Sequence, residues 1–341
     1  MKATVLVESG KMLEFKEMPT PSPGPGEVLV KVAACGVCHT DLHYIEHGVP
    51  TFKELPLILG HETSGTVAEL GEGVTGLPVG TRVLVPAVVT CGKCRMCRIG
   101  KENICEKMVM FGNHVHGAYA EYMVAPAKDV FVLPESIPLE EGAIIADAIS
   151  TPFHAVRNRG NVRPGDIVVI YGCGGVGINA IQVAAASGAH VIAVDISEKK
   201  LSWAKEFGAI ECVNAAAEPK VAKAIRKITG GSGADVVFEA IGRPETIESA
   251  FECVATGGRL VVIGYTDQPV SLSAAKIMFR EVEVVGSLGC RLVDYPRILQ
   301  MCAEGKLKVK PLVTHRFPLK EIEQAFAVMK AGESLRSIVI P

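Results

Sequence analysis

Hydrophobic and polar positions follow two different patterns along the chain, and the change lies near Pro138. Before it, short apolar runs are separated by turns rich in Gly and Pro; examples are "EVLVKVAACG", "TSGTVAEL", "TRVLVPA" and "YAEYMVAP". Such runs are typical of an antiparallel, barrel-like domain. After it, "LEEGAIIADAISTPFHAVRN" has the spacing and length of a helix.

From Asp166 onward, strand-like and helical segments alternate strictly. The strand-like segments have continuous apolar faces, as in "DIVVIYG", "HVIAVD", "ADVVFEAIG" and "RLVVIGY". Helical segments separate them, among them "SEKKLSWAKEFG", for which Ser197 is the expected N-cap. This alternation predicts a doubly wound parallel sheet, and hence the α/β class. The final part of the chain carries two amphipathic helices and a last strand, "LRSIVI", which suggests a return to the first domain.

Composition narrows the function classes. The chain has 341 residues, of which 48% are hydrophobic, so a large core and two domains are expected. A net charge of −2 without a basic run gives no electrostatic case for nucleic acid or a membrane surface as partner. No apolar run reaches the roughly 18–20 residues of a membrane span, and no signal peptide is recognisable, so we expect a cytoplasmic protein. Because disulfides are disfavoured there, the 11 cysteines favour metal ligands and buried thiols.

A glycine motif predicts a dinucleotide site. Gly172, Gly174 and Gly177 follow a predicted strand and open a helix, and the next strand ends at Asp195. The glycines allow a tight turn, close approach of a pyrophosphate and close helix packing, while Asp195 suits the ribose hydroxyls and repels a 2′-phosphate. NAD is therefore favoured over NADP. The predicted contacts on the loop are Gly172, Gly174, Gly175, Val176 and Gly177. The alternative is a glycine-rich turn with a capping aspartate.

Four cysteines crowd the stretch "CGKCRMCRIGKENIC", at positions Cys91, Cys94, Cys97 and Cys105. A ferredoxin run has a shorter last gap and a following Pro, and a redox Cys-x-x-Cys pair needs a thioredoxin-like context. Four closely spaced thiolates suit tetrahedral zinc, and four protein ligands leave no position for a substrate. The loop is therefore interpreted as a structural zinc site.

A second set of metal-ligand residues is scattered along the chain. Cys38, His61 and Asp147 could form an open, three-ligand catalytic zinc site, but only if the fold brings them together. Each also has an ordinary interpretation, as a buried thiol, a hydrogen-bonded turn residue and a helix-capping group. Spacing alone does not decide between these readings.

In combination, the motifs resemble those of the zinc-dependent medium-chain alcohol dehydrogenases, over essentially the whole chain. "GHETSGTVAELGEGV" matches the family signature G-H-E-x2-G-x5-G-x2-V, and "CHTDLH", the four-cysteine loop and "GCGGVG" occur in the family's order. The resemblance implies a GroES-like β-barrel catalytic domain formed by residues 1–149 and 289–341. A Rossmann NAD-binding domain, residues 150–288, would be inserted between them.

The resemblance also implies the ligands of the catalytic zinc. These are Cys38, His61 and Asp147, where many family members have Cys at the third position. Glu62 would lie beside the metal and could bind it when substrate is absent. Asp41 would orient His61. Together with the cysteine loop, this gives two zinc ions per chain.

The implied reaction is the reversible, NAD-linked oxidation of a primary or secondary alcohol. A zinc-bound alkoxide would give a hydride to the nicotinamide, while Thr40 accepts the alcohol proton, the ribose hydroxyl passes it on and His43 hands it to solvent. Further cofactor contacts implied by the family are His39, Thr151, Lys200 and Arg336. The partners are then a small-molecule substrate and, by analogy with bacterial members, further copies in a homotetramer.

The substrate is less defined. Ala87 and Val88 occupy a stretch where family enzymes for small alcohols often carry a large aromatic, so we expect a pocket for bulkier alcohols. The alternative within the superfamily is a polyol or amino-alcohol dehydrogenase of the sorbitol or threonine type. An alternative from another class is a non-catalytic protein that binds NAD or zinc.

Overall fold

A computed structural model describes all 341 residues. It divides into two compact units, one formed by Met1–Ser150 with Cys290–Pro341 and the other by Thr151–Gly289. The sequence placed the domain boundaries between 149 and 150 and between 288 and 289, one residue earlier at each end. The chain thus leaves the first unit once and returns to it once.

The first segment of the chain consists mainly of short strands. They are β1 (Lys2–Leu6), β2 (Glu14–Glu17), β3 (Glu27–Gly36), β4 (Leu57–Ile58), β5 (Glu62–Leu70), β6 (Arg82–Val85), β7 (Val88–Val89), β8 (Val109–Met110), β9 (Tyr122–Pro126) and β10 (Phe131–Val132). The helices are α1 (His39–Ile45), α2 (Arg95–Arg98) and 3₁₀ turns at Glu102–Ile104, Ala127–Asp129 and Glu141–Ala146. Short strands separated by turns agree with the predicted pattern.

The single helix predicted after Pro138 is wrong. The stretch instead forms a 3₁₀ helix, Glu141–Ala146, a turn that begins at Asp147, then α3 (Ser150–His154) and a π-helical turn, Ala155–Arg159. Asp147 has φ −141° and ψ −54°, outside the helical region. Asp147 therefore lies at the end of a helix, where its side chain is half-buried, and not in the middle of a continuous helix.

The second unit is a single parallel sheet with helices between its strands. Its elements are β11 (Ile167–Tyr171), α4 (Gly175–Ala186), β12 (His190–Asp195), α5 (Glu198–Glu206), β13 (Glu211–Asn214), α6 (Val221–Ile228), β14 (Ala234–Glu239), α7 (Pro244–Cys253), β15 (Val254–Val262), α8 (Ala274–Phe279) and β16 (Glu283–Gly286). The strand order β13-β12-β11-β14-β15-β16 is the Rossmann order, with the nucleotide site expected where the order reverses, beside β11. Every neighbouring pair is parallel. The predicted α/β class is confirmed.

The returning segment adds further elements to the first unit. A 3₁₀ turn (Leu292–Asp294) and α9 (Tyr295–Ala303) come first; a 3₁₀ turn (Lys310–Leu312), β17 (Val313–Pro318), a 3₁₀ turn (Leu319–Glu321), α10 (Ile322–Lys330) and β18 (Arg336–Ile340) follow. β18 pairs with β3, completing a seven-stranded sheet in the order β10-β6-β5-β3-β18-β17, with β9 also paired to β3. The core of this unit packs β1, β3, β5 and β6 against α10. No helix in the protein combines the length and apolar character that crossing a membrane requires.

Candidate functional site

The four-cysteine loop converges on one point. Sγ–Sγ distances are 3.5 Å for Cys91–Cys105 and for Cys94–Cys97, 3.8 Å for Cys94–Cys105 and 4.0 Å for Cys91–Cys97. A tetrahedral zinc ion with Zn–S bonds of about 2.3 Å places its sulfur ligands about 3.8 Å apart. The four thiols therefore fit a zinc ion that has no open coordination position.

Backbone N–H groups favour the thiolate form of two cysteines in this loop, Cys91 and Cys94. The Lys93 and Cys94 N–H groups lower the pKa of Cys91 to about 6, and the N–H groups of Cys97 and Glu106 lower that of Cys94. Loss of surrounding water and the neighbouring sulfur atoms raise the pKa of Cys97 to about 12. Thiolates packed this closely require a cation between them, which agrees with a metal site.

A second cluster forms from three distant segments of the same unit. Cys38 precedes α1, His61 directly precedes β5, Glu62 is the first residue of β5, and Asp147 follows the 3₁₀ helix. One ligand atom from each of the four lies within 4.8 Å of all the others. His61 Nε2 is 3.8 Å from Asp147 Oδ2. The residue types and spacing fit a zinc ion held by Cys, His and carboxylate ligands, the composition of open sites.

A buried carboxylate faces His61. Asp41 Oδ1 lies 3.6 Å from His61 Nδ1, on the opposite side of the ring from Nε2, which faces Asp147. Burial alone would lower the pKa of His61, but the Asp41 carboxylate together with the side chains of Asp147 and Cys38 outweighs burial, and the pKa is raised well above its usual value. Asp41 Oδ2 in turn accepts a hydrogen bond of 2.7 Å from the hydroxyl of Tyr119, which is fully buried. Sequence reasoning missed Tyr119, because it lies 78 residues from Asp41 and carries no motif.

Glu62 is held by a buried cation. Arg336 Nη2 donates a hydrogen bond to Glu62 Oε1, and both side chains are buried. Burial raises the pKa of Glu62 to about 7, although the charge of Arg336 opposes this rise. Glu62 Oε2 has no hydrogen-bond partner, which leaves it available to a cation in the cluster. The predicted pyrophosphate contact, Arg336, therefore lies beside Glu62 in this unit, with its Nε without a partner.

The predicted proton path begins next to the cluster. The thiol of Cys38 donates to the Thr40 hydroxyl over 3.5 Å. His43 lies one turn further along α1 and is partly buried, and burial followed by the nearby His47 lowers its pKa. His39, the first residue of the same helix, is exposed.

The glycine loop lies between β11 and α4. Gly172 has φ +90°, and a Cβ on Gly177 would lie only 1.6 Å from the Gly172 carbonyl oxygen. A Cβ on Gly174 would meet no atom within 4 Å, so the backbone there is open to a ligand. This open N-terminal turn of α4, which includes Gly175 and Val176, fits a pyrophosphate.

Asp195 closes this loop from the end of β12. Its Oδ2 accepts the Cys173 N–H at 2.8 Å, and its Oδ1 accepts the Ser197 N–H at 3.0 Å. As expected, Ser197 caps α5 by accepting the Lys200 N–H. The remaining predicted cofactor contact, Thr151, is a half-buried residue of α3.

The wall residues named for the substrate pocket differ in exposure. Ala87 is buried, whereas Val88 in β7 is partly exposed and pairs with Met110 in β8.

Comparison with known proteins assigns a family to both units. Residues 24–135 match the alcohol dehydrogenase GroES-like domain, and residues 175–304 match the zinc-binding dehydrogenase domain. An alcohol dehydrogenase of Geobacillus stearothermophilus is 40% identical over 100% of this chain and 98% of its own length. An L-threonine 3-dehydrogenase of Bacillus licheniformis is 33% identical over 100% of this chain and 99% of its own length.

A solved structure agrees with this assignment. The crystal structure of an NAD-dependent alcohol dehydrogenase superposes with a TM-score of 0.94 at 33% identity, covering 100% of both chains. Full-length identity, two matching domain families and a shared fold lead to one conclusion: the chain belongs to the zinc-dependent medium-chain alcohol dehydrogenase family.

Proposed function

We propose that this protein is an NAD-dependent alcohol dehydrogenase that reversibly oxidises a primary or secondary alcohol with one zinc ion as catalyst and a second as structural support. The observation that carries the proposal is the cluster of Cys38, His61, Glu62 and Asp147. Cys38, His61 and Asp147 would supply three protein ligands, the number typical of catalytic zinc sites, and Glu62 would be an alternate ligand.

The two metals would have different functions. Cys91, Cys94, Cys97 and Cys105 would hold the structural ion. Cys38, His61 and Asp147 would hold the other, which when bound supplies Lewis-acid chemistry that lowers the pKa of an alcohol hydroxyl. Asp41, itself bonded to Tyr119, would orient the His61 ring, and Arg336 would hold Glu62 close enough to act as an alternate ligand.

The protein's own side chains would remove the alcohol proton. The Thr40 hydroxyl lies 3.5 Å from the Cys38 thiol, so it would lie near a substrate held in the cluster and could take up a proton from it. His43, one turn away and partly exposed, can accept that proton and release it to water. Its lowered pKa keeps the ring neutral, and hence able to accept a proton, at neutral pH.

NAD is the proposed cofactor because of Asp195. The carboxylate is at the end of β12, where the adenosine ribose binds in Rossmann units, and its charge would repel a 2′-phosphate. Lys200, Thr151, His39 and Arg336 stay proposed contacts. Replacing Asp195 with Ala should lower the kcat/KM ratio of NAD⁺ to NADP⁺ by about tenfold or more; an unchanged ratio would contradict the assignment.

The proposed substrates are longer-chain, cyclic or aromatic alcohols. Neither Ala87 nor Val88 supplies the bulk that narrows a pocket to ethanol. Since a relative is named L-threonine 3-dehydrogenase, threonine and sorbitol belong in the same assay. The idea fails if kcat/KM for ethanol exceeds that for hexanol, cyclohexanol and benzyl alcohol.

The protein is also proposed to assemble as a homo-oligomer, by analogy a tetramer. Strand β16 pairs only with β15, so one edge of the sheet is left for a second copy. Val284 in this strand is exposed, and Met278 and Phe279 in α8 of the same unit are more so. Light scattering during gel filtration tests this: Val284→Lys should reduce the molar mass, and a monomeric wild type would refute it.

Metal analysis with an alcohol panel tests the function as a whole. Purified protein should contain two zinc ions per chain and form NADH from alcohol and NAD⁺. One zinc ion without alcohol-dependent NADH formation would support a binding protein instead.

A further inference from the structure

Two hydroxyl groups meet at the carbonyl that precedes Asp147. The Tyr295 hydroxyl donates a hydrogen bond of 2.6 Å to the Ala146 carbonyl oxygen. Ser150 Oγ lies 3.0 Å from the same oxygen and 3.1 Å from the Tyr295 hydroxyl. With one proton each, Tyr295 can donate to the carbonyl while Ser150 donates to either oxygen. We call Ala146, Ser150 and Tyr295 the carbonyl clasp.

The clasp acts where the helix ends. The carbonyls of a last helical turn lack donors within the helix and take them from side chains or water. Here a tyrosine that follows Ala146 by 149 residues supplies the donor. Because the Ala146 carbonyl belongs to the peptide joined to Asp147 N, holding it fixes the backbone from which the Asp147 side chain extends.

The Tyr295 ring is itself held firmly. It is 2% exposed and stacks on Phe131, with ring centroids 5.1 Å apart and an interplanar angle of 14°. Just before it, the Val293 N–H donates to Glu102 Oε1 over 3.2 Å. Glu102 lies within the four-cysteine loop. The segment that carries Tyr295 is therefore bonded to that loop through Val293 and Glu102.

We propose that Tyr295, acting with Ser150 through the Ala146 carbonyl, is a positioning residue that sets Asp147 for metal binding. The inference rests on the proposed function, since it requires Asp147 to be a ligand. His61 has Asp41 and Glu62 has Arg336 as supports. The clasp gives Asp147 a support of the same kind, made through the backbone. Groups that orient ligands commonly contribute about 10–100-fold to metal affinity.

The test measures zinc release to a chromophoric chelator from the folded protein. Tyr295→Phe keeps the ring and its stacking but loses the hydroxyl, and Ser150→Ala removes the second hydroxyl. Each should release one of the two zinc ions about tenfold faster and leave the other unchanged. Asp147→Asn should accelerate release of the same ion, and the Tyr295→Phe/Asp147→Asn double variant should be no faster than Asp147→Asn alone.

Tyr171→Phe is the matched control. Its hydroxyl is also buried, bonded to Ser249 and Cys253 in the second unit, so its loss has a similar structural cost without touching either cluster. Its zinc release should match wild type. With Co²⁺ in place of zinc, the visible spectrum should change in Tyr295→Phe and stay unchanged in Tyr171→Phe.

The outcomes separate the inference from its premise. If Asp147→Asn accelerates zinc release but Tyr295→Phe and Ser150→Ala do not, or if the double variant is additive, the inference is wrong and the ligand assignment stands. If Asp147→Asn leaves zinc release unchanged, the ligand assignment and the inference both fail.

Discussion

The two clusters of metal-ligand side chains lie in one structural unit but are built in opposite ways. The cysteine loop takes all its ligand atoms from the stretch between Cys91 and Cys105, and its supporting contacts are backbone N–H groups of the same loop. The Cys38 cluster takes its ligands from three segments of the chain, and its first ligand, Cys38, precedes its last, Asp147, by more than 100 residues. There, other side chains hold the ligands in place.

On the proposed assignment, this difference would separate a site that needs its metal to fold from a site whose ligands the fold already holds together. A short loop rich in Gly and charged residues has little core of its own, so a metal ion can supply its folding free energy. The Cys38 cluster instead has Asp41 beside His61, Arg336 bonded to Glu62, and Tyr295 bonded to the carbonyl before Asp147. On the proposed assignment its metal would serve chemistry, and loss of that metal should leave the fold in place.

The largest effect is expected from Cys38→Ser. Serine is a poor zinc ligand, so kcat/KM for alcohol oxidation should fall by about 10³-fold or more, equivalent to about 4 kcal/mol of transition-state stabilisation. The thermal unfolding temperature should change by only a few degrees. Steady-state kinetics and calorimetry measure both, with Cys212→Ser, a thiol of the other unit, as control. A Cys38→Ser enzyme with near-normal turnover would contradict the division between the clusters.

Cys97→Ser should show the reverse pattern. Removing one of four thiolates opens the structural site, and the unfolding temperature should drop by about 10 °C. Below that temperature, activity per folded molecule should stay within about threefold of wild type. A variant that keeps its unfolding temperature but loses hydride transfer would mean that the functions of the two clusters are exchanged.

The convergence of the four cysteines could be predicted from the sequence because they lie close together along the chain. Four thiols at spacings of three, three and eight residues can meet on one loop whatever the rest of the chain does, and the observed Sγ–Sγ distances agree with that. The alternation of apolar strands and helices likewise gave the parallel sheet, because burial on both faces leaves a continuous apolar run.

The contacts that surround the Cys38 cluster could not be predicted from spacing along the sequence. The apolar spacing around Asp147 predicts a continuous helix, yet the helix breaks there, and the carbonyl before it binds Tyr295, 149 residues further along. Tyr119 reaches Asp41 over 78 residues. Single contacts at such separations leave no periodic signal, because they depend on the packing of the whole unit.

A smaller effect should follow from making the open cluster more like the closed one. Asp147→Cys replaces a hard oxygen ligand with a soft thiolate, which zinc retains more tightly beside Cys38 and His61. We expect release of this ion to a chelator to slow by about tenfold, with release from the cysteine loop unchanged. Faster release from Asp147→Cys would show that the carboxylate, at its present position, is the better ligand.

The smallest effect concerns the proposed proton path, which would serve the Cys38 cluster alone. The rings of His43 and His47 lie 5.6 Å apart, and burial together with His47 lowers the pKa of His43. Alcohol oxidation needs neutral His43, so activity should rise as pH passes upward through its pKa. His47→Gln removes a like charge that disfavours protonated His43, which raises the His43 pKa. The acid limb of the kcat/KM profile should therefore move to higher pH, by a few tenths of a unit.

His315→Gln, in β17, is the control and should leave the limb in place. A shift to lower pH in His47→Gln would remove His43 from the path, because electrostatic repulsion between the two rings can act only in the stated direction.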